Sequence, residues 1–365
     1  MTDVKTQREP LIRISKRESI PRWKAWLYRA IAVLAALLVN AMFIYLVAGV
    51  NPIQVYSTMW SGVFGNEIYA WDTTFYTAKL LCIAVALAPA FMMRFWNIGA
   101  EGQLLAGALA TAYVMINFSE LSTPILFTVM FISAVVMGAL WGVIPAIFKA
   151  KFGTNETLFT LMMNYVAIQL VDFFYNKWKG PASALGKINR ATRAGYLPEV
   201  FGSQYTISVI IVVLLAVLMF FYMKKTKQGY EIAVVGESQN TARYAGINVT
   251  KVIIRTMVIS GAVCGICGFM TVAGQEHTIE SNSTGGGYGF TAIIVAWLAK
   301  FNTIFMALIA LFIVFLEKGT SNIADTYDAF DSSASKIIIG IMLFFVIGCE
   351  FFINYKMNFR KHKEG

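Results

Sequence analysis

The sequence predicts an all-α polytopic membrane protein with about ten transmembrane helices. Its 365 residues are 58% hydrophobic and 14% charged, whereas soluble domains carry roughly 25% charged residues. The runs 30–65, 121–148 and 200–223 contain no Asp, Glu, Lys or Arg, and each exceeds the roughly 20 residues that span a bilayer as a helix. One membrane domain therefore accounts for nearly the whole chain.

Ten hydrophobic segments follow one another along the chain. They lie at 29–50, 75–93, 97–117, 122–148, 156–175, 204–223, 252–274, 287–299, 302–316 and 335–354. Residues 29–355 therefore form the transmembrane domain. Residues 1–28 are basic and contain Trp23, Trp26 and Tyr28, which suits an amphipathic cytoplasmic tail at the lipid headgroups. Residues 356–365 form a second basic cytoplasmic tail.

The distribution of Lys and Arg predicts that both ends of the chain face the cytoplasm. With ten helices and the N-terminus inside, most of the 30 Lys and Arg lie on the inner side, as the positive-inside rule requires. Lys79 is assigned to the outer side. The main exception to the rule is the outer loop 176–203, which holds Lys177, Lys179, Lys187, Arg190 and Arg193.

A polar motif opens the third segment. Residues 95–103 read FWNIGAEGQ and place Asn97, Glu101 and Gln103 at the start of an apolar helix. Ionisable and amide side chains inside a membrane are costly and mark functional positions. The same groups also suit a second role, in which they tie helix ends together, because a carboxylate is favoured in the first turn of a helix. The sequence leaves both roles open.

A second polar break precedes the eighth segment. Residues 281–290 read SNSTGGGYGF, and the apolar part that follows is short. The first break lies just before segment three, and the second lies just before segment eight. We expect the two breaks to lie on opposite membrane faces. Two inverted halves, helices two to five and seven to ten, would produce this arrangement, and such breaks often lie near a translocation path.

Small residues inside the apolar helices are interpreted as packing features. Cys264 and Cys267 form a C-x-x-C pattern without the polar partners that a redox or metal site needs. G-x-x-x-G patterns allow close approach of helices. They pair Gly138 with Gly142 and Gly261 with Gly265.

The longest inner loop, 224–250, contains the signals of a short helix. Ser238 can cap the N-terminus of this helix, and Gly246 can end it in the left-handed conformation. A helix of two turns is not stable alone. The loop therefore requires a surface to pack against.

Four ordered blocks resemble the permease subunits of bacterial ABC importers for nucleosides and related sugars. They are 95–103, then 142–157 (GVIPAIFKAKFGTNET) with 163–165 (MNY), then 229–247, and finally 286–293 (GGYGFTAI). Block 229–247 resembles the family's coupling loop. It departs from the family where Gln239 and Asn240 replace a common Asn-Pro pair.

The resemblance implies a type II importer permease that works by alternating access in the bacterial plasma membrane. Its implied partners are a cytoplasmic ABC ATPase, a second, related permease chain, and an extracytoplasmic substrate-binding lipoprotein. The implied ATPase-coupling residues are Glu237, Asn240, Ala242, Arg243, Tyr244 and Gly246. The candidate residues of the translocation path are Asn97, Glu101, Gln103, Asn155, Glu156 and Asn164.

Two alternatives stay open at this point. One is an ion-coupled secondary transporter in which Glu101 and Glu156 bind protons or sodium; the other is an ABC permease for ribose- or galactose-type sugars. The chain has no G-x-x-x-x-G-K-[ST] motif and no nucleophile with a neighbouring base. His277 and His362 cannot form a metal site between them. We therefore expect no enzyme activity, cofactor, metal or nucleic-acid partner for this chain, with ATP bound by the partner subunit.

Overall fold

The computed structural model describes residues 12–17, 20–328, 330 and 332–359, and it is almost entirely helical. The helices are α1 (Arg22–Ala48), α2 (Pro52–Phe64), α3 (Glu67–Met92), α4 (Ala100–Asn117), α5 (Thr123–Phe152), α6 (Glu156–Lys179), α7 (Thr206–Lys225), α8 (Lys227–Glu237), α9 (Gln239–Tyr244), α10 (Val249–Thr271), α11 (Tyr288–Leu298), α12 (Thr303–Thr326) and α13 (Ser332–Asn354). Wider π-helical turns cover Val272–Glu276 and Ser281–Gly285. Two short strands, β1 (Ile12–Lys16) and β2 (Tyr355–Phe359), lie near the ends of the chain.

Within the described residues, eight helices are long and apolar enough to cross a membrane. They are α1, α3, α5, α6, α7, α10, α12 and α13. This result confirms the polytopic membrane class. The predicted third and eighth segments correspond to α4 and α11, which fall outside this set; α11 has only 11 residues. The total of about ten spans stays a prediction.

The chain forms two compact units. One consists of Met1–Asn66 and Phe315–Gly365, and the other of Glu67–Val314. In the first, β1 pairs antiparallel with β2, and Arg29 of α1 forms an ion pair with Glu350 of α13 at 2.6 Å. Strand pairing brings residues 12–16 and 355–359 together.

Two features of the terminal regions differ from the sequence prediction. Helix α1 begins at Arg22, seven residues before the predicted first span, so it includes the aromatic part of the predicted tail. Helix α2 was not predicted; Asn51 caps its N-terminus by accepting the Ile53 N–H at 3.0 Å, and Pro52 occupies its first turn. Much of the predicted tails, residues 1–11, 18–19 and 360–365, lies outside the described residues.

In the second unit, α3 and α10 are the central helices. Both are buried along most of their length, whereas α5, α6 and α7 bury only a minor part of theirs. The outer faces of these three helices expose apolar side chains such as Leu140, Val166 and Val213. An apolar outer face around a buried core is the pattern expected of helices that contact lipid.

The small-residue patterns lie at the helix contacts, which confirms their interpretation as packing features. A Cβ atom on Gly138 would collide with the carbonyl oxygen of Gly261, and one on Gly265 would collide with the carbonyl oxygen of Ala134. Helices α5 and α10 therefore touch backbone to backbone. All four cysteines are free and buried.

Candidate functional site

The segment between α3 and α4 carries a buried network of amides. Asn97 accepts the Gly99 N–H at 3.0 Å and the Gln103 side-chain N–H at 3.3 Å. Its own side-chain N–H donates to Ser260 Oγ of α10 at 3.4 Å. Asn97 and Gln103 are almost completely buried. Because the chain is not helical here, side chains satisfy backbone groups that a helix would otherwise satisfy.

Helix α6 holds the other side of the same segment. Asn164 Oδ1 accepts the Gly102 N–H at 2.8 Å, and its side-chain N–H donates to the Ile98 carbonyl at 2.9 Å. Thr160 Oγ1 accepts the Ile98 N–H at 3.1 Å. Asn164 therefore belongs to the same network as Asn97 and Gln103. The segment is fixed between α6 and α10.

Glu101 connects this network to the start of α11. Its Oε1 accepts the Gly287 N–H at 2.8 Å, and its Oε2 accepts the Gly289 N–H at 2.6 Å. The carboxylate thus lies in the first turn of α4 and also at the N-terminus of α11. Both helix N-termini carry partial positive charge, which stabilises an anion there. This geometry corresponds to the role of tying helix ends together.

The two polar breaks therefore meet at Glu101. The first packs through Phe95 with the start of α10, and the second follows the end of α10; their placement on opposite membrane faces stays a prediction. Gly287 has a φ of +76° and is the N-cap residue of α11. A Cβ atom on Gly289 would collide with the backbone nitrogen of Glu101. The glycines allow the two helix starts to approach within hydrogen-bond distance of one carboxylate.

Sequence reasoning missed Lys79, which it assigned to the outer side. Lys79 lies about halfway along α3, is 1% exposed, and donates to the Thr284 carbonyl at 3.0 Å. Its ammonium also lies 4.8 Å from the centre of the Tyr288 ring. A lysine within an apolar run is visible in the sequence, but counting the charges on each side of the membrane does not show that this lysine is buried. The structure makes Lys79 a partner of the segment that precedes α11.

Two further carboxylates hold that segment. Ser281 Oγ donates to Asp172 of α6 at 2.6 Å, and Thr284 Oγ1 donates to Glu276 at 2.7 Å. Together with Lys79 and Glu101, these contacts attach the segment to four separate elements.

Asn155 and Glu156 direct their side chains to other partners, although the Glu156 carbonyl accepts from Thr160 Oγ1 at 2.7 Å. Asn155 caps α6 by accepting the Leu158 N–H at 3.2 Å. Glu156 forms an ion pair with Lys149, at the end of α5, at 2.7 Å. They connect α5 to α6.

The loop 224–250 forms two helices, α8 and α9. Ser238 Oγ accepts the Thr241 N–H at 3.2 Å, and Gly246 has a φ of +77°. The predicted cap and the predicted left-handed glycine are confirmed. Ala242 is completely buried, whereas Tyr244 is 93% exposed.

The exposed side of this loop is polar and aromatic. Glu237, Asn240 and Arg243 are exposed, and the Arg243 guanidinium donates to Asn240 Oδ1 at 3.2 Å. We call Glu237, Asn240, Arg243 and Tyr244 the loop surface. It presents charge, amide and ring groups to the surroundings.

The buried side of the loop packs against the end of α3. Ala242 belongs to an apolar cluster that includes Met93, Phe95 and Val235. A Cβ atom on Gly236 would collide with the Met92 carbonyl oxygen. Phe95 is two residues before Asn97, so displacement of α9 would be transmitted over a short path to the buried amide network.

Among the described residues, no group of three or more His, Cys, Asp and Glu could hold a metal ion. His362 lies outside the described residues. The site offers buried hydrogen-bonding groups next to a short helix, α9, that packs against the end of α3.

Comparison with known proteins identifies related chains. The family model described as "Branched-chain amino acid transport system / permease component" matches residues 69–347. A guanosine ABC transporter permease protein of Bacillus subtilis is 32% identical over 87% of this chain and 91% of its own length. A glucose ABC transporter permease protein of Haloferax volcanii is 28% identical over 97% and 95%. A nucleoside ABC transporter permease protein of Lactococcus lactis is 27% identical over 87% and 89%. No solved structure matches the chain at a significant level.

Proposed function

The chain belongs to the family of branched-chain amino acid transport system permease components, and on this basis we propose that it is the membrane-spanning permease subunit of an ATP-driven importer for nucleosides. The observation that carries the proposal is the loop surface on α8 and α9. The six-residue helix α9 is packed into the protein through Ala242, and its last residue, Tyr244, is 93% exposed. This arrangement suits docking into another protein.

The docked partner is an ABC ATPase that binds ATP, so this chain needs no cofactor of its own. Closure of the ATPase pair displaces α9. Ala242 transmits the displacement to Met93 and Phe95, and from there it reaches the amide network at Asn97. The path opens alternately to each side of the membrane as the two permease halves tilt.

The other partners complete the importer. A second, related permease chain forms the other wall of the path, and an extracytoplasmic substrate-binding lipoprotein delivers the solute. The loop surface then faces the cytoplasm of a bacterial plasma membrane, as do both ends of the chain. Pairing of β1 with β2 supports the common side of the two ends.

Nucleosides are the proposed solutes because two of the three relatives described above are a guanosine and a nucleoside permease. The third is a glucose permease, which makes a simple sugar the second candidate. An ion-coupled carrier is less well supported, because both carboxylate oxygens of Glu101 accept backbone N–H groups and family membership favours an ATP-driven importer.

Replacement of both Arg243 and Tyr244 by Ala tests the proposal. We expect the double variant to reach the membrane normally but to lose ATP-dependent nucleoside uptake and co-purification with the ATPase. Tyr45→Ala is the matched control, because Tyr45 is an exposed tyrosine of α1 outside the four blocks. ATP-dependent uptake at the wild-type rate in the double variant would contradict the proposal.

A further inference from the structure

The segment between α10 and α11 reaches the middle of the membrane domain. We call residues 277–287 the re-entrant segment. Its Thr284 carbonyl accepts from Lys79, about halfway along α3. Its last residue, Gly287, donates to Glu101, close to the contact between Asn97 and Ser260. Ser260 lies about 16 Å along α10 from its start, at 1.5 Å per residue, which is about half of a bilayer core.

Polar groups of the re-entrant segment are exposed from the end of α10 to this depth. Ser283, whose hydroxyl donates to Glu276 at 3.5 Å, lies near the end of α10, and Gly286 lies next to the contact of Gly287 with Glu101. Both residues are exposed, so a hydroxyl and backbone groups lie on the surface of the unit. Non-helical backbone at membrane depth is tolerated where it is buried in protein or lines a water-filled cavity. This face of the unit therefore does not contact lipid.

Aromatic rings continue the same face toward the other end of α11. Phe290 is 42% exposed and Trp297 is 44% exposed. The two residues are seven positions apart and share one side of the helix. Trp96, which is 46% exposed, stacks on Trp297 with ring centres 5.3 Å apart and planes at 18°. Phe91 is buried and contacts both indoles, each at 5.9 Å. The rings are held in place while part of their surface stays open.

We propose that Ser283, Gly286, Phe290, Trp96 and Trp297 form the wall of the translocation path and contact a solute that carries both a planar ring and hydroxyl groups. Aromatic side chains stack on the flat face of a nucleobase with little dependence on its identity. The hydroxyl and backbone groups of the re-entrant segment exchange hydrogen bonds with the sugar. This inference rests on the proposed function and deepens it, since the face serves a nucleoside better than a simple sugar.

The order of these groups follows the direction of import. The polar part runs from Ser283, near the end of α10, to Gly287 at mid-depth, and Trp297 lies about 15 Å further along α11 from Gly287, at 1.5 Å per residue. A solute would meet hydroxyl and backbone groups first and the indole pair last. Held by shape and stacking instead of a full set of hydrogen bonds, it would be released easily.

Accessibility of single cysteines tests whether this face lines water. The native cysteines are all buried, so Ser283→Cys and Trp297→Cys can be introduced into the full chain within the complete importer. We expect a membrane-impermeant methanethiosulfonate reagent to modify both positions, and guanosine to slow the modification. Val213→Cys is the control, because Val213 is exposed in the middle of α7, where lipid contact is expected, and it should not react. Failure of both positions to react would overturn the proposal.

Uptake by the reconstituted importer tests the solute class. We expect Trp297→Leu to lower the efficiency of guanosine uptake by roughly five-fold or more, the lower end of what loss of one base-stacking contact produces. Trp297→Phe should restore most of the uptake, and Phe221→Leu should have no effect. Wild-type guanosine uptake by Trp297→Leu would overturn the inference and leave the proposed function intact. The proposed function fails by a different result, namely uptake that does not depend on ATP or on the loop surface.

Discussion

Single polar side chains hold the interior of this membrane protein together. The Glu101 carboxylate accepts two backbone N–H groups at the meeting point of two helix N-termini. Hydrogen bonds to a charged group contribute more than neutral ones, and the helix ends favour a negative charge. A residue that looked like a candidate solute contact therefore has a defined structural task.

Replacement of Glu101 by Gln tests this task. The amide keeps one acceptor oxygen but turns an N–H group toward a backbone N–H, so one of the two bonds is lost. We expect the variant to be less stable by roughly 1.5–3 kcal/mol, measured as a lower thermal midpoint in detergent. Glu120→Gln in the exposed loop after α4 is the control and should behave like the wild type. An unchanged midpoint for Glu101→Gln would contradict the assignment.

Whole elements show where sequence reasoning succeeds and where it stops. The cap at Ser238 and the left-handed Gly246 were predicted because their causes lie within a few residues of chain. The contacts of Glu101 with Gly287 and of Lys79 with Thr284 join residues about 200 positions apart, and no local pattern contains them. Helix α2 was missed because Ser57, Thr58 and Ser61 interrupt its apolar pattern.

The contact between α5 and α10 gives a test at this scale. Replacement of Gly138 by Leu would force apart two helices that touch through their backbones. Overpacking of a close contact costs about 1–3 kcal/mol and occasionally more, so we expect a low yield of monodisperse protein in size-exclusion chromatography.

The matched control for this test is Gly340→Leu. Gly340 lies in α13, and a Cβ atom there meets nothing within 4 Å. Its chromatogram should resemble that of the wild type. Equal yields from the two variants would show that the contact between α5 and α10 tolerates a larger side chain.

At the scale of the whole molecule, the paired strands join the two ends of the described chain. The distribution of Lys and Arg predicts both ends on one side of the membrane, and the antiparallel pair of β1 with β2 is consistent with that prediction. The hydropathy of the sequence predicted the segments and their order, because long apolar runs can be recognised directly in a sequence. It could not give the depth at which the re-entrant segment ends, since side chains from other helices set that depth.

A disulfide in intact membranes tests this arrangement. Ser15 and Lys356 are partners across the two strands, so we expect Ser15→Cys with Lys356→Cys to form a disulfide efficiently under mild oxidation. The control pair, Ile14→Cys with Lys356→Cys, places the first cysteine on the opposite face of the strand and should cross-link poorly. Equal cross-linking by both pairs, or by neither, would contradict the register.

The strand pair also has a consequence for biosynthesis, because it determines when β1 and β2 can come together. All the described helices, from Arg22 to Asn354, are translated between β1 and its partner β2. At roughly 5–20 residues per second, β1 therefore waits about 20 to 70 s for β2. The two strands can pair only after α13 has been synthesised.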